Sequence, residues 1–173
     1  MADDDAPVRD MSRYVARFVS DWEADNPRWW EIDGTLVFVD ISGFTNLYER
    51  LTAFGRIGAE ELTGVLNRVF GAMLDLAYRR GGSLLKFGGD ALLLWFEGGV
   101  HVERACRATV LMREDLGKVG VFDLPDAKIT LQMSQGVHSG TFHFFAVGSS
   151  HLELLPVDSA WSRLVAMEHA AEA

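Results

Sequence analysis

Cysteine is almost missing from this chain of 173 residues: Cys106 stands alone, so no internal disulfide framework exists. It falls in a helical stretch, 102–108, where a buried structural thiol is the expected role. Positive charge is scarce too. The formal net charge is −9, and nowhere do Lys and Arg gather with interleaved aromatics. Such a chain repels a phosphate backbone, which excludes general nucleic-acid binding and requires that any phosphate be held locally, with a cation. No apolar run approaches the length of a bilayer span, and the opening Met1-Ala2-Asp3-Asp4-Asp5 lacks the basic start of a secretory leader. Internal repeats and low-complexity segments are absent as well. The expectation is a soluble cytoplasmic protein with neither nucleic acid nor membrane as partner.

What the chain does contain is apolar residues, 49% of the total, enough for one domain with a real core. Residues 1–33 read as an N-terminal extension, in which Tyr14 to Trp22 has the spacing of a short amphipathic helix ending near Asn26-Pro27. The domain proper covers residues 34–173. Asp33-Gly34 is expected to turn into the β-rich run Thr35-Leu36-Val37-Phe38-Val39, a strand buried on both faces that delivers Asp40 at its end. A helix follows over 46–54. A longer one over 59–79 places Leu62, Leu66, Phe70, Met73, Leu74 and Ala77 on one stripe. Strands over 83–87 and 91–96 flank Gly88-Gly89, a two-residue hairpin signal that puts Asp90 at the tip. A helix over 102–116 comes next, then a second hairpin, 129–137 and 141–147, turned at Ser139-Gly140. A short strand over 152–157 and a last helix from 158 complete the order. An α+β domain with helices on one face of a largely antiparallel sheet satisfies this order most simply.

If the strand ending at Asp40 lies beside the hairpin tipped by Asp90, the two carboxylates meet at one end of the sheet. They then form a hard oxygen site suited to Mg²⁺, whose remaining ligands are phosphate oxygens and water. The segment Ile41-Ser42-Gly43-Phe44-Thr45 turns straight into a helix, so its free backbone N–H groups and helix dipole suit a polyphosphate. Taken singly, Asp40 also reads as a turn cap and Asp90 as a hairpin residue. Lys86 shares the hairpin; alternation puts it on one face with Leu84, either near a base or anion or simply solvated. His138 and His143 flank the second turn without a cysteine or carboxylate cluster, and are read as structural.

The segments Phe38-Val39-Asp40-Ile41-Ser42-Gly43-Phe44-Thr45, Gly58-Ala59-Glu60-Glu61-Leu62, Leu66-Asn67-Arg68-Val69-Phe70, Lys86-Phe87-Gly88-Gly89-Asp90-Ala91 and Gly136-Val137-His138-Ser139-Gly140, in that order, resemble the class III adenylate/guanylate cyclase catalytic domain. The resemblance runs from Gly34 to the C-terminus and implies a ferredoxin-like cyclase-homology fold. It implies that Asp40 and Asp90 bind Mg²⁺ or Mn²⁺, with the Ile41 carbonyl as an added ligand, and that Gly43, Phe44 and Thr45 bind phosphate of ATP or another nucleoside triphosphate. It also implies a dimer with the site at the interface, built from a homodimer or from a second cyclase-like domain in cis or in trans. In such a site the ribose 3′-hydroxyl attacks the α-phosphate and pyrophosphate leaves, with metal ions supporting both oxygens.

Where the family carries an asparagine and an arginine for the transition state, this sequence has Ser162 and Ala166; at a base-recognising position it has Leu155, followed by Pro156. The pattern is most similar to the first cyclase-like half of soluble adenylyl cyclase and its bacterial relatives, in which two unequal halves share one site. By that likeness Arg163 and Lys86 lie around a degenerate second site and its anion. Arg163 also stands three residues before Ala166, on nearly the same helical face, where it either stands in for the missing arginine or is a surface residue. Two readings follow: an enzyme half with little activity alone, or an inactive module that senses nucleotide or anion. The family normally continues past the helix that ends near Glu168, so strands are expected beyond Ala173.

Overall fold

A computed structural model describes residues 28–125, 127–148, 153–157 and 159–171. The amphipathic helix expected over Tyr14–Trp22 lies outside these residues. The domain orders its elements as β1 (Trp29–Ser42), α1 (Phe44–Thr52), α2 (Arg56–Arg79), β2 (Gly82–Gly88), β3 (Ala91–Glu97), α3 (His101–Val119), β4 (Val121–Asp123), β5 (Lys128–Thr130), β6 (Gln132–Val147), β7 (Glu153–Pro156) and α4 (Ser159–Ala170). Five strands form one antiparallel sheet in the order β2-β3-β1-β6-β7, and β4 and β5 form a small separate ribbon. This is an α+β, ferredoxin-like arrangement. No helix among the described residues is long and apolar enough to cross a membrane.

β1 is central, paired with β3 on one side and β6 on the other, and its alternation divides the core in two. Val37, Val39 and Ile41 point into a layer filled by Leu47 and Leu51 of α1, Val65, Val69, Phe70 and Met73 of α2, and Ala105, Ala108 and Met112 of α3. Leu36 points the other way, into a cluster with Leu93, Trp95, Phe142, Phe144 and Leu164 of α4. Three helices thus cover one face, and α4 lies against the other. In α2 the buried stripe runs through Val65, Val69, Phe70, Met73 and Ala77, with Leu62, Leu66 and Leu74 partly buried beside it.

Three local expectations give way to packing. Asp33-Gly34 is not a turn; residues 29–33 continue β1 backwards and pair with 141–145 of β6. Ser139-Gly140 is not a turn either, because β6 runs unbroken and sets Ser139 opposite Thr35 and Gly140 opposite Gly34. The fully buried Thr35 hydroxyl is hydrogen-bonded to Ser139 Oγ at 2.8 Å and to His101 Nδ1 at 2.7 Å, which ties both central strands to the start of α3. Of the two glycines, Gly34 is required by packing. A Cβ at Gly34 would lie 2.2 Å from the Trp95 ring, so only glycine lets that fully buried indole cross β1. Cys106, expected to be buried, is exposed. The buried residues of α3 are Ala105, Ala108, Thr109, Met112 and Leu116, and Cys106 stands about 100° around the helix from Ala105.

Gly34→Ala therefore overpacks the Trp95 contact and is expected to cost at least about 1–3 kcal/mol. Gly64→Ala, in α2 with open space where its Cβ would go, is expected to stabilise by about 0.5–1 kcal/mol. Urea unfolding of the two variants measures both; a Gly34→Ala protein as stable as wild type would show that the indole is not held as described.

Candidate functional site at the end of β1

β1 stops pairing with β3 at the Asp40–Ala91 pair. Asp90 is the next residue back along the hairpin, so the register alone sets the two aspartates at neighbouring positions on one end of the sheet. Both are half-buried. The hairpin loop is Gly89-Asp90, one residue later than the Gly88-Gly89 expectation, since Gly88 still pairs with Ala91. Gly89 takes φ 73°, the left-handed conformation such a loop demands.

Beyond Asp40 the chain turns at once into α1. Ile41, whose carbonyl the resemblance offers as an added ligand, is fully buried. Gly43 adopts φ 90° as the N-cap, no side chain caps the helix, and the first turn closes through Leu47 N–H to the Gly43 carbonyl at 3.2 Å. The N–H groups of 44–46 precede that bond and have no intrahelical acceptor. Gly43 and Thr45 are exposed, while Phe44 is held by an aromatic contact with Phe70 at 6.1 Å between centroids. Phe70 in turn meets Phe87 of β2 edge-on at 5.8 Å. This chain of three rings locks the start of α1 to the hairpin that carries Asp90. Sequence alone assigns Phe70 to the core stripe and to one motif and Phe87 to another, with no sign that the two rings meet.

Lys86 does not share a face with Leu84. A bulge at Leu85 shifts the register, so that Leu84 pairs with Leu94 and Lys86 with Leu93. Leu84 faces the helix-covered core, and Lys86 comes out on the face of Phe38, Leu93 and Asp40. There it is exposed and lines a cavity of about 230 Å³ with Phe38, Gly88, Ala91 and Leu93. Without the bulge an ammonium group would point into α2. The one trace of it in the sequence is the unalternating pair Leu84-Leu85.

Arg163 is not brought to this end. It is exposed on α4, whose Leu164 packs with Trp95, Phe142 and Phe144. Those three belong to the rows of Leu36, Ile32 and Trp30, four to ten residues of β1 from Asp40, hence about 13 Å or more along the strand. Ser162 and Ala166 are exposed on the same helix, and Leu155 is exposed on β7. His138 stacks edge-on against Phe142 at 5.7 Å, and His143 Nε2 lies 3.3 Å from Glu31. A larger cleft of about 520 Å³, lined by Arg80, Glu103, Cys106, Arg107, Val110 and Leu111, opens on the outer side of α3.

Among solved structures, the adenylyl cyclase CyaB from P. aeruginosa superposes with a TM-score of 0.67 at 23% identity, over 84% of this chain and 75% of that one. The dimeric guanylyl cyclase domain of the RhoGC fusion protein from Blastocladiella emersonii does so with a TM-score of 0.67 at 22% identity, over 86% and 79%. The fold is thus that of a class III adenylyl/guanylyl cyclase domain. In sequence the chain is similar to adenylate cyclase type 10 of Mus musculus, 32% identical over 133 residues, which are 74% of this chain and 8% of that protein. No protein-family model matches.

Because the hairpin tip holds Asp90 through a left-handed Gly89 with open space around it, Gly89→Ala is expected to cost about 1–2 kcal/mol from backbone strain alone. Gly89→Asn should cost clearly less, since asparagine tolerates that conformation. Thermal or urea unfolding gives the order; equal losses would mean that strain is not what the glycine relieves.

Proposed function

We propose that this domain is one half of a nucleotide cyclase. It binds Mg²⁺ or Mn²⁺ together with the phosphates of ATP or another nucleoside triphosphate, and it forms cyclic AMP where a second cyclase-like domain, in cis or in trans, completes the site. The observation that carries this reading is the Asp40–Ala91 pairing, which sets Asp40 beside Asp90 where the sheet runs into the bare N-terminus of α1. The donor set fits such a cation: two carboxylates, with the Ile41 carbonyl beside them, are hard oxygen ligands of the number Mg²⁺ takes from protein. When bound, the cation neutralises phosphate charge and stabilises the leaving oxygen. The backbone of Gly43, Phe44 and Thr45 would take phosphate oxygens at the positive end of the helix dipole. Lys86 stands on the same sheet face as Asp40, placed for a base or an anion at the small cavity beside Phe38.

The chain spans 8% of the length of its mouse relative, so the activity of a whole protein is part of the proposal. Leu155, Ser162 and Ala166 offer neither the base contact nor the charge that the transition state needs, and a homodimer repeats those losses at both sites. The isolated chain therefore has little or no activity. A second reading draws on the same exposed, uncharged Ser162 and Ala166. In it the domain binds nucleotide or anion, with Lys86 as the candidate anion contact at the small cavity, and regulates an attached domain without turnover.

Calorimetric titration with a Mn²⁺–nucleotide should show binding that Asp40→Asn and Asp90→Asn each weaken at least tenfold, about 1.4 kcal/mol. Cyclic AMP should appear when the chain is mixed with a complementary half that supplies the asparagine and arginine. Nucleotide binding without any turnover in that mixture favours the regulatory reading. Unchanged binding in both aspartate variants, or robust cyclic AMP formation by the purified chain alone, overturns the half-site.

A further inference from the structure

The residue directly opposite Asp40 on β6 is Ser134. Facing residues of antiparallel strands point to the same side of the sheet, so the Ser134 hydroxyl and the Asp40 carboxylate leave it side by side, with Cβ atoms roughly 4.5–5.5 Å apart. Ser134 is only 7% exposed. A hydroxyl buried that deeply is hydrogen-bonded in nearly every native protein. On its own strand and face, Gly136 brings no side chain and Gln132 is exposed to water. Across the ladder Asp40 offers a carboxylate, the strongest kind of acceptor. Ala91, the neighbour of Asp40 on β3, has only a methyl group, so Ser134 is the cross-strand donor in the row of Asp40.

The rest of the ladder supports this pairing. Thr141, opposite Asp33, donates its hydroxyl to that carboxylate, and Ser139, opposite Thr35, shares a hydrogen bond of 2.8 Å with it. Polar side chains that face each other across β1 and β6 therefore meet. In addition, β6 is clamped to α3 on both sides of Ser134. Arg113 donates to the Met133 carbonyl at 3.2 Å, and Gln135 donates through Nε2 to the Thr109 carbonyl at 3.1 Å. The backbone that carries the hydroxyl is thus held to a helix as well as to β1, and so has a fixed position to impose on its neighbour.

We propose that Ser134 is a positioning residue: its hydroxyl donates a hydrogen bond to Asp40 and holds one carboxylate oxygen in place, which leaves the other turned toward the cation. The inference rests on the half-site reading above. It also carries a signature in metal choice. Mg²⁺ demands near-ideal octahedral geometry, whereas Ca²⁺ accepts a flexible one, so a carboxylate held in a single orientation favours Mg²⁺.

Calorimetric titration of Mg²⁺–ATP and of Ca²⁺–ATP into the purified chain tests this. Ser134→Ala should weaken Mg²⁺–ATP binding about five- to tenfold, as loss of a hydrogen bond to a charged group does, and Ca²⁺–ATP binding by no more than about twofold. In an Asp40→Ala background, Ser134→Ala should cost nothing further, because the carboxylate it positions is gone. Circular dichroism melts confirm that each variant is folded. The proposal is overturned by wild-type affinity for Mg²⁺–ATP in Ser134→Ala, by equal losses for the two cations, or by the same loss in the Asp40→Ala background, which would mark a general loosening of the sheet. The two proposals fail separately. Should only the positioning be wrong, Asp40→Asn still weakens binding. Should the half-site be wrong, Asp40→Asn and Ser134→Ala both bind as the wild type does.

Discussion

Everything in this domain hangs on β1 being hydrogen-bonded along both edges. Fourteen residues pair with β6 and seven of them also with β3, so the strand has no free edge over its middle and must bury side chains on both faces. Val37, Val39 and Ile41 meet the three-helix layer, and Leu36 meets the Trp95 cluster. Burying each such side chain contributes roughly 1.5–3 kcal/mol. The alternation also leaves no choice of register, because a slip by one residue would exchange the two faces. Asp40 is placed by this constraint: it is the last residue of the doubly paired segment, so its position relative to Asp90 is as fixed as the core.

Around that strand, small and aromatic residues do complementary work. Gly34 makes room for the Trp95 indole, which packs against Phe142 and Phe144, both in edge-on contact at about 5 Å. The Phe44–Phe70–Phe87 chain performs the corresponding task on the helix side, coupling the turn into α1 to the aspartate hairpin. A site made of a turn and a hairpin from separate parts of the chain needs such a brace, since loops alone hold geometry poorly. The bulge at Leu85 completes the arrangement by taking Lys86 out of the helix-covered layer.

Both ends of the long β1–β6 ladder thereby acquire distinct chemistry. One end gathers two aspartates and bare helix amides; the other exposes aromatic and aliphatic side chains beside two carboxylates.

Local sequence was enough for whatever depends on neighbours in the chain. The buried strand ending at Asp40, the stripe of α2, the hairpin carrying Asp90 and the turn from Gly43 into α1 all arise from periodicity, turn chemistry and capping within a few residues. The motifs around them carried the cyclase-like fold as well. Tertiary structure decided the rest. Ser139-Gly140 has turn composition, but the backward extension of β1 offered it partners more than a hundred residues away in sequence, and a paired strand satisfies more backbone groups than a turn does. Lys86 changed face because β2 had to absorb an extra residue against β3, and Cys106 turned outward because the alanines and methionine of α3 fit the core. The row of Trp29, Phe145 and Leu155 is likewise invisible along the chain, since its members come from three strands and become neighbours only through pairing.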